Sequence, residues 1–295
     1  MTTETTPAFE QLLFEKPVEH VARITMNRPE ARNAQGLKMT YELNAAFDRA
    51  AHDDAVKVIV LAGAGPHFSA GHDLNDRARL GEFEPIGTWG QFGAAGHEGF
   101  YGREMEIYLE ITERWRNLPK PTIAEVQGKC MAGGNMLAWA CDLIIASDDA
   151  EFIDHTLELG VCGAEYFAHP FELGVRKAKE WLFTADWLTA SEAHRLGMVN
   201  HVVPRASLTE FTMALAQRIA KKPMFALKMA KEAVNAAEDV MGRRQAMKTS
   251  FGLHQLCHSH NLRVHGMPVD PAGLPEKIRQ AIAAARTAGG RSGRE

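Results

Sequence analysis

The stretch "KPTIAEVQGKCMAGGNMLAWACDLIIAS", residues 120–147, decides the fold class. It contains a β-branched run at 121–128, a glycine pair directly before an apolar helical segment, and a second β-branched run at 142–147. Short runs of this kind, ending at glycine, proline or asparagine, are typical of buried strands. The stretch therefore predicts a strand, a tight turn, a helix and another buried strand in succession.

The same alternation extends in both directions from this stretch. Further β-branched runs lie at 23–27, 56–63 and 201–204, and residues 37–53 repeat apolar side chains every four residues, as a helix does. Strands alternating with helices indicate an α/β fold. A shorter segment, "LTASEAHRLG" at 188–197, predicts a helix capped by Thr189 with Glu192 as capping-box partner and Gly197 as its stop.

The composition changes after Pro204. Three helical segments follow almost without interruption, at 208–222, 223–242 and 243–263, and the chain ends in a tail rich in glycine and arginine. We therefore expect an α/β core over residues 1–205 and a helical region over residues 206–295 with a flexible tail.

Composition excludes several classes of protein. With 295 residues, 45% apolar, 24% charged and a net charge of −4, the chain is typical of a globular protein and gives no electrostatic reason to expect nucleic acid or a membrane surface as partner. It has no apolar run long enough for a membrane span, and its first residues do not have the pattern of a signal peptide. We therefore expect a cytoplasmic protein. The four cysteines form no CxxC pair and are expected to be buried thiols.

Two glycine turns are the strongest functional signal. "FSAGHDLND" at 68–76 and "GKCMAGGNM" at 128–136 each follow a predicted strand. Facing each other, such turns offer two backbone N–H donors to one oxygen, as an enolate or tetrahedral oxyanion requires. Tight turns selected only for packing are the alternative. A dinucleotide site at "GAGPHF" is not favoured, because Phe68 stands where the third glycine belongs and Pro66 interrupts the turn.

Four ordered motifs then identify a family. These are "ITMNRPEARNAQ" at 24–35, "VIVLAGAGPHFSAGHDL" at 58–74, the opening stretch at 120–147, and "LTASEAHRLGMVNHVVP" at 188–204. Together, in order and spacing, they resemble the crotonase family, the enoyl-CoA hydratase/isomerase group. The resemblance implies a spiral of ββα units, followed by helices that build a trimer, often paired into a hexamer. It also implies an acyl-CoA thioester as substrate, with no separate cofactor.

Matching these motifs position by position assigns candidate residues. The resemblance places the two N–H donors for the thioester oxygen at His72 and Gly133. It places contacts with the coenzyme A part of the substrate at Ala31, Arg32, Ala70 and Asp73, and Arg32 is either a phosphate contact or a solvated surface arginine.

The resemblance breaks at the acid/base residues. The two hydratase glutamates fall on Met136 and Thr156, neither of which exchanges a proton as a carboxyl group does. Other branches of the family place one acid or base near Ala164, so Glu165 is the first candidate, with a surface or ion-paired role as the alternative. The second candidates, in a segment after the 142–147 strand, are Asp154 and His155.

Two further segments leave alternatives open. The region at about 75–105 is longer than the family usually needs and is either a lid over the acyl site, with Glu98 or Glu104 as the missing acid, or a surface loop. His254 and His258 lie four residues apart on a predicted helix, but no acidic partner in HExxH form accompanies them. We therefore expect no metal site, and we expect interface histidines instead.

The sequence thus predicts an enzyme of the enoyl-CoA hydratase/isomerase type, in fatty acid or related acyl metabolism, that stabilises a thioester enolate. An isomerase, a thioester hydrolase and a non-catalytic acyl-CoA-binding protein stay open as alternatives, because both hydratase glutamates are absent.

Overall fold

The computed structural model describes residues 9–280, apart from 77, 275 and 277. The strands are β1 Leu12–Val18, β2 Val21–Met26, β3 Val58–Gly63, β4 Thr122–Val126, β5 Lys129–Met131, β6 Leu143–Ser147, β7 Glu151–Ile153, β8 Leu188–Thr189 and β9 His201–Val203. The α-helices are α1 Leu37–His52, α2 His97–Glu104, α3 Ile111–Arg116, α4 Gly133–Trp139, α5 His169–Leu173, α6 Val175–Thr184, α7 Ala190–Leu196, α8 Leu208–Ala220, α9 Met224–Val240 and α10 Arg243–His265. A π-helical turn, Met105–Glu110, joins α2 to α3.

The strands form two sheets. The larger has the order β1-β2-β3-β4-β6-β9, parallel throughout except for the antiparallel β1–β2 pair, and the smaller has the order β5-β7-β8. Consecutive strands alternate between them: β4 and β6 join the larger sheet, and β5 and β7 join the smaller one. This alternation is the spiral of ββα units that the resemblance implied.

The larger sheet is buried on both faces, as parallel sheets usually are. In β3, Ile59 and Leu61 point into the main core, whereas Val58 and Val60 point to the opposite face, where they pack with apolar residues of α8. A strand buried on both faces has no polar side, which explains the continuous apolar run at 58–63.

The predicted elements are confirmed with small changes at their ends. All five predicted strands lie in the larger sheet, and the three C-terminal helical segments form α8, α9 and α10. Thr189 caps α7 by accepting a hydrogen bond from the Glu192 N–H at 3.3 Å, and Gly197 ends it at a φ of 92°. The Glu192 carboxylate, however, binds Arg195 one turn along, so the capping-box role expected for it was wrong.

The long segment between β3 and β4 packs through apolar side chains such as Leu80 and is also held by one carboxylate. Residues 78–96 contain a single 3₁₀ turn, Leu80–Glu82, before α2 begins. The buried Glu106 accepts hydrogen bonds from the Ile86 and Gly87 N–H groups at 2.6 and 2.8 Å and from the Tyr41 hydroxyl at 3.1 Å. The segment is therefore tied to the π-helical turn.

The C-terminal helices differ in their burial. α8 packs on the larger sheet, whereas α9 has no buried residue within the described chain. None of the described helices combines the length and apolar character needed to cross a membrane. The predicted division at residue 205 stays a prediction, and the predicted flexible tail, rich in glycine and arginine, lies outside the described residues.

Candidate active site

The two glycine turns lie against each other. Gly71, at a φ of +84°, is so close to the second turn that a Cβ atom would lie 2.7 Å from the Met131 carbonyl oxygen and 3.1 Å from the Gly133 nitrogen. A bridge between Ser69 and Cys130 holds the two segments in parallel. Only glycine permits this approach at residue 71.

Backbone pairing with the segment of Gln35 directs the N–H of His72 away from that segment. Gln35 donates its N–H to the Gly71 carbonyl at 2.7 Å and accepts from the Asp73 N–H at 2.9 Å. In a parallel bridge of this kind, the N–H of the intervening residue, His72, points to the other side. Gly133 is the first residue of α4, so its N–H has no carbonyl partner within the helix. Each turn thus presents a backbone donor.

The His72 side chain lies across the second turn. A Cβ at residue 133 would be 2.5 Å from the imidazole Cε1, so glycine is needed there too. The ring stacks on Tyr108 with 3.7 Å between centroids, and its Nε2 is 3.0 Å from Glu165 Oε2. Burial lowers the His72 pKa, but the Glu165 charge and hydrogen bond outweigh burial and raise it. His72 therefore contributes a side chain as well as the predicted backbone donor.

Glu165 is buried, 5% exposed, beside this imidazole. Its second oxygen, Oε1, is 3.5 Å from His254 Nε2. Burial alone raises a carboxyl pKa, yet the interactions with His72 and His254 and the His72 hydrogen bond outweigh burial and lower the pKa of Glu165. The group is therefore ionised at neutral pH. Of the predicted acid/base candidates, Glu165 is the one paired with the residue of the first turn.

The Asp154 carboxylate accepts its hydrogen bonds from residues outside the His72–Glu165 pair. It accepts hydrogen bonds from the Thr156 N–H and hydroxyl at 3.0 and 2.6 Å, from the Ala164 N–H at 3.0 Å, and from His169 Nε2 at 2.7 Å. Burial raises its pKa, but the His169 hydrogen bond and charge outweigh burial and lower it. Asp154 thus holds the loop that carries Glu165.

None of the remaining acid/base candidates has a hydrogen bond to the His72–Glu165 pair among the described residues. His155 is partly buried, with no hydrogen bond to that pair among the described residues. Glu98 is exposed on α2, whereas Glu104 is buried and accepts a hydrogen bond from Gln255. At the two hydratase positions, Met136 is packed in the core and Thr156 is bound to Asp154.

The residues expected near coenzyme A divide into two places. Arg32 and Ala70 line a cavity of about 240 Å³, and the Ala70 N–H donates to the Arg32 carbonyl at 2.9 Å. Asp73 lies outside that cavity and pairs with Arg28 at 2.9 Å. Ala31 belongs to the 3₁₀ turn Pro29–Ala31 just before Arg32.

Sequence reasoning missed several side chains of these sites. Lys129 and His67 line the same cavity as Arg32, and the Lys129 ammonium lies 4.0 Å from the Trp187 ring centroid. Tyr108 stacks on His72 from the π-helical turn. His67 and Lys129 lie within the motifs at 58–74 and 120–147, but neither those motifs nor the segment of Tyr108 indicates these contacts, because each contact joins segments distant in the chain.

Comparisons with known proteins agree with this architecture. The family model described as enoyl-CoA hydratase/isomerase matches residues 17–268. The chain is 47% identical to the Mycobacterium tuberculosis protein named "Putative enoyl-CoA hydratase EchA13", over 81% of this chain and 78% of that one. It is 33% identical to 1,2-epoxyphenylacetyl-CoA isomerase of Escherichia coli, over 74% of this chain and 79% of that one.

A solved structure gives the same result. The crystal structure of a probable enoyl-CoA hydratase from Mycobacterium smegmatis superposes with a TM-score of 0.79 at 47% identity, covering 88% of this chain and 99% of that one. The chain belongs to the enoyl-CoA hydratase/isomerase family, within the crotonase superfamily.

Proposed function

We propose that this enzyme isomerises unsaturated acyl-CoA thioesters, with Glu165 as a single carboxylate that moves a proton between two carbons. The observation that carries the proposal is the 3.0 Å contact between Glu165 Oε2 and His72 Nε2. It brings an ionised carboxylate to the glycine turn that supplies a backbone donor. The two positions of the hydratase glutamates hold Met136 and Thr156 instead.

The thioester oxygen is held by the His72 and Gly133 N–H groups in this proposal. Their turns lie in contact, and the α4 N-terminus adds its positive dipole end at Gly133. Negative charge on the oxygen is stabilised by donors that are already in place. This is the requirement for forming an enolate from a thioester.

The proton then moves within one substrate molecule. In a β,γ-unsaturated thioester, the Glu165 carboxylate accepts a proton from the α-carbon, and the electron pair of the broken C–H bond delocalises into a dienolate. The resulting Glu165 carboxylic acid returns the proton to the γ-carbon. The double bond has moved into conjugation with the thioester, no atom is gained or lost, and water is not consumed.

The protein has a basic surface that suits the coenzyme A end of the substrate. Arg32, Lys129 and His67 surround one cavity, and Arg205 lies near enough to lower the His67 pKa together with burial and the other two cations. A cluster of cations is what phosphate groups require. We therefore extend the coenzyme A contacts from Arg32 to Lys129.

The oligomer expected for the family is also a proposal. The large apolar side chains of α9 are exposed in the single chain, among them Phe225 and Val234. A helix with no buried residue is stabilised by packing against another surface. We propose that other copies of the chain cover this apolar surface of α9 in a homotrimer or hexamer.

The proposed reaction is tested by supplying the purified protein with two kinds of substrate. But-3-enoyl-CoA and hex-3-enoyl-CoA should gain the ultraviolet absorbance of a conjugated enone, whereas crotonyl-CoA should keep it. Growth of the band supports isomerisation. If the crotonyl-CoA band disappears faster than the bands of the 3-enoyl substrates grow, and 3-hydroxybutyryl-CoA forms, hydration is established and the proposal is refuted.

A further inference from the structure

A buried cluster of two histidines and a glutamate lies beside the candidate active site. Its members are Glu104 at the end of α2, and His254 and His258 one turn apart on α10. Three ligand atoms, one from each side chain, lie within 4.8 Å of one another. The histidine spacing gave no reason to expect a metal, because the acidic partner is 150 residues away in the chain and only the fold supplies it.

Both imidazoles are held in the orientation that a metal ligand needs. His254 Nδ1 is 2.7 Å from the Gly163 carbonyl oxygen, and His258 Nδ1 is 2.5 Å from the Pro268 carbonyl oxygen. A carbonyl only accepts hydrogen bonds, so each Nδ1 carries a proton, and in a neutral ring the lone pair is on Nε2. A histidine that binds a metal usually has its other nitrogen fixed in this way.

The two Nε2 atoms are buried without a hydrogen-bond partner in the described part of the chain. The side chains of His254 and His258 are only 4% and 6% exposed. Buried polar atoms are nearly always satisfied, so two unpartnered nitrogens beside one carboxylate need an explanation. A cation between them and the Glu104 carboxylate would satisfy both.

The distances fit a small cation. Glu104 Oε2 is 3.5 Å from His258 Nε2 and 3.7 Å from His254 Nε2, too far for hydrogen bonds of normal length. Tetrahedral ligands about 2.0–2.1 Å from zinc are separated from each other by about 3.4 Å. Gln255 donates to the same Glu104 oxygen at 2.5 Å and so orients the carboxylate.

The geometry points to a binding site for a divalent transition-metal ion such as Zn²⁺, with Glu104, His254 and His258 as its ligands. Glu165 Oε1 lies 3.5 Å from His254 Nε2, at the border of the site. The site would link α2 to α10 and, through the Gly163 carbonyl, to the loop that carries Glu165. It does not depend on which reaction the enzyme performs.

Metal binding is measured on protein that has been treated with a chelator. Zn²⁺ is titrated against a chromophoric competitor, and Co²⁺ is added separately because its visible spectrum distinguishes four-coordinate from six-coordinate sites. We expect one ion per chain and a spectrum of a four-coordinate site. Absence of binding at one equivalent, or a six-coordinate spectrum of the kind surface carboxylates produce, would overturn the inference.

Variants separate this site from others that bind zinc. His254→Ala and His258→Ala should each weaken Zn²⁺ binding by about 100-fold or more, since even residues that only orient a ligand contribute about 10–100-fold. His260→Ala is the matched control, because His260 is exposed on the same helix. Retention of full affinity by the His254→Ala and His258→Ala variants would show that zinc binds elsewhere.

Two checks keep the result interpretable. The thiols of Cys162 and Cys257 are within hydrogen-bonding reach of each other and form the other place where zinc could bind, so Cys257→Ser should leave binding intact. If an alanine variant fails to fold, as judged by circular dichroism, Glu104→Gln replaces it, because glutamine keeps the shape of the side chain and removes the anionic ligand. Loss of binding in Cys257→Ser, or full binding in Glu104→Gln, would contradict the site.

Discussion

At the scale of single residues, His72 joins the first glycine turn to the Glu165 carboxylate. Its N–H belongs to the first glycine turn, while its imidazole lies between Tyr108 and Glu165. The motif around residue 72 indicates only the backbone role, since any residue supplies an N–H. The side-chain role depends on Glu165, which is 93 residues away in the chain. Residue identity alone therefore predicted both members of the pair but not their contact.

Replacing His72 by alanine should change the pH dependence of kcat/KM. The alanine keeps the backbone N–H but removes the His72 charge and hydrogen bond, so the effect of burial is offset less and the pKa of Glu165 should rise. The ionised base is then lost at a higher pH, so the acidic limb of the kcat/KM profile should move to higher pH. His155→Ala is the control and should leave the limb in place. An unshifted limb in His72→Ala would argue against Glu165 as the base.

Asp154 should matter for stability instead. Its pKa is lowered in the folded chain, so its contribution is present above the pKa of the unfolded state and is lost as the pH falls through the folded-state value. Asp154→Asn should lower the free energy of unfolding at pH 7 by about 3 kcal/mol, because His169 loses its charged partner. Urea unfolding measures this, with the exposed Asp186→Asn as control. Equal stability of both variants would contradict the role.

At the scale of elements, the π-helical turn between α2 and α3 organises the site. It carries Tyr108, which stacks on His72, and Glu106, which binds the loop at Ile86 and Gly87. π-Helical turns are rare and frequently occur at functional sites. The sequence predicted a lid or a surface loop at about 75–105 but not the turn that follows, because a widened helical turn has no distinct apolar period.

Removing the Glu106 carboxylate should release this loop. In Glu106→Ala, the Ile86 and Gly87 N–H groups lose their acceptor, so limited proteolysis should cut within residues 78–96 faster than in the unmodified chain. Glu98→Ala changes an exposed glutamate on the adjoining helix and should leave the cleavage rate unchanged. Unchanged cleavage in Glu106→Ala would show that other contacts hold the loop.

The strands that the sequence did not predict lack a clear apolar pattern. β5, β7 and β8 have only two or three residues, too few for a periodic pattern, and β1 alternates with charged side chains around Pro17 at the edge of its sheet. Long apolar runs such as β3 were recognised because burial on both faces leaves no polar residue in them.

At the scale of the whole molecule, the exposed apolar side chains of α9 argue for assembly. Phe225→Asp should lower the mass measured by size-exclusion chromatography with light scattering, because a charge would enter the proposed interface. Phe183 on α6 is equally exposed, 73% for each, so Phe183→Asp is the matched control. A monomeric unmodified chain, or an unchanged mass in Phe225→Asp, would contradict the proposed oligomer.

How much of the site the sequence predicts depends on whether its residues are neighbours in the chain or meet only in the folded molecule. The glycine turns were predicted because glycine at close contacts leaves a local signature. The Glu104–His254–His258 cluster was not, because its ligands come from α2 and α10 and meet only in the folded chain. Asp73 pairs with Arg28 and does not line the cavity of Arg32 and Lys129, and its predicted contact with coenzyme A stays a prediction.

The most direct test of the central claim is the isomerisation rate of Glu165→Gln with hex-3-enoyl-CoA, compared with Glu158→Gln, an exposed glutamate of the same segment. If Glu165 transfers the proton, its variant should lose a factor of about 10²–10⁴ in kcat while the control keeps the unmodified rate. Equal rates in the two variants would contradict the assignment of Glu165 as the acid/base.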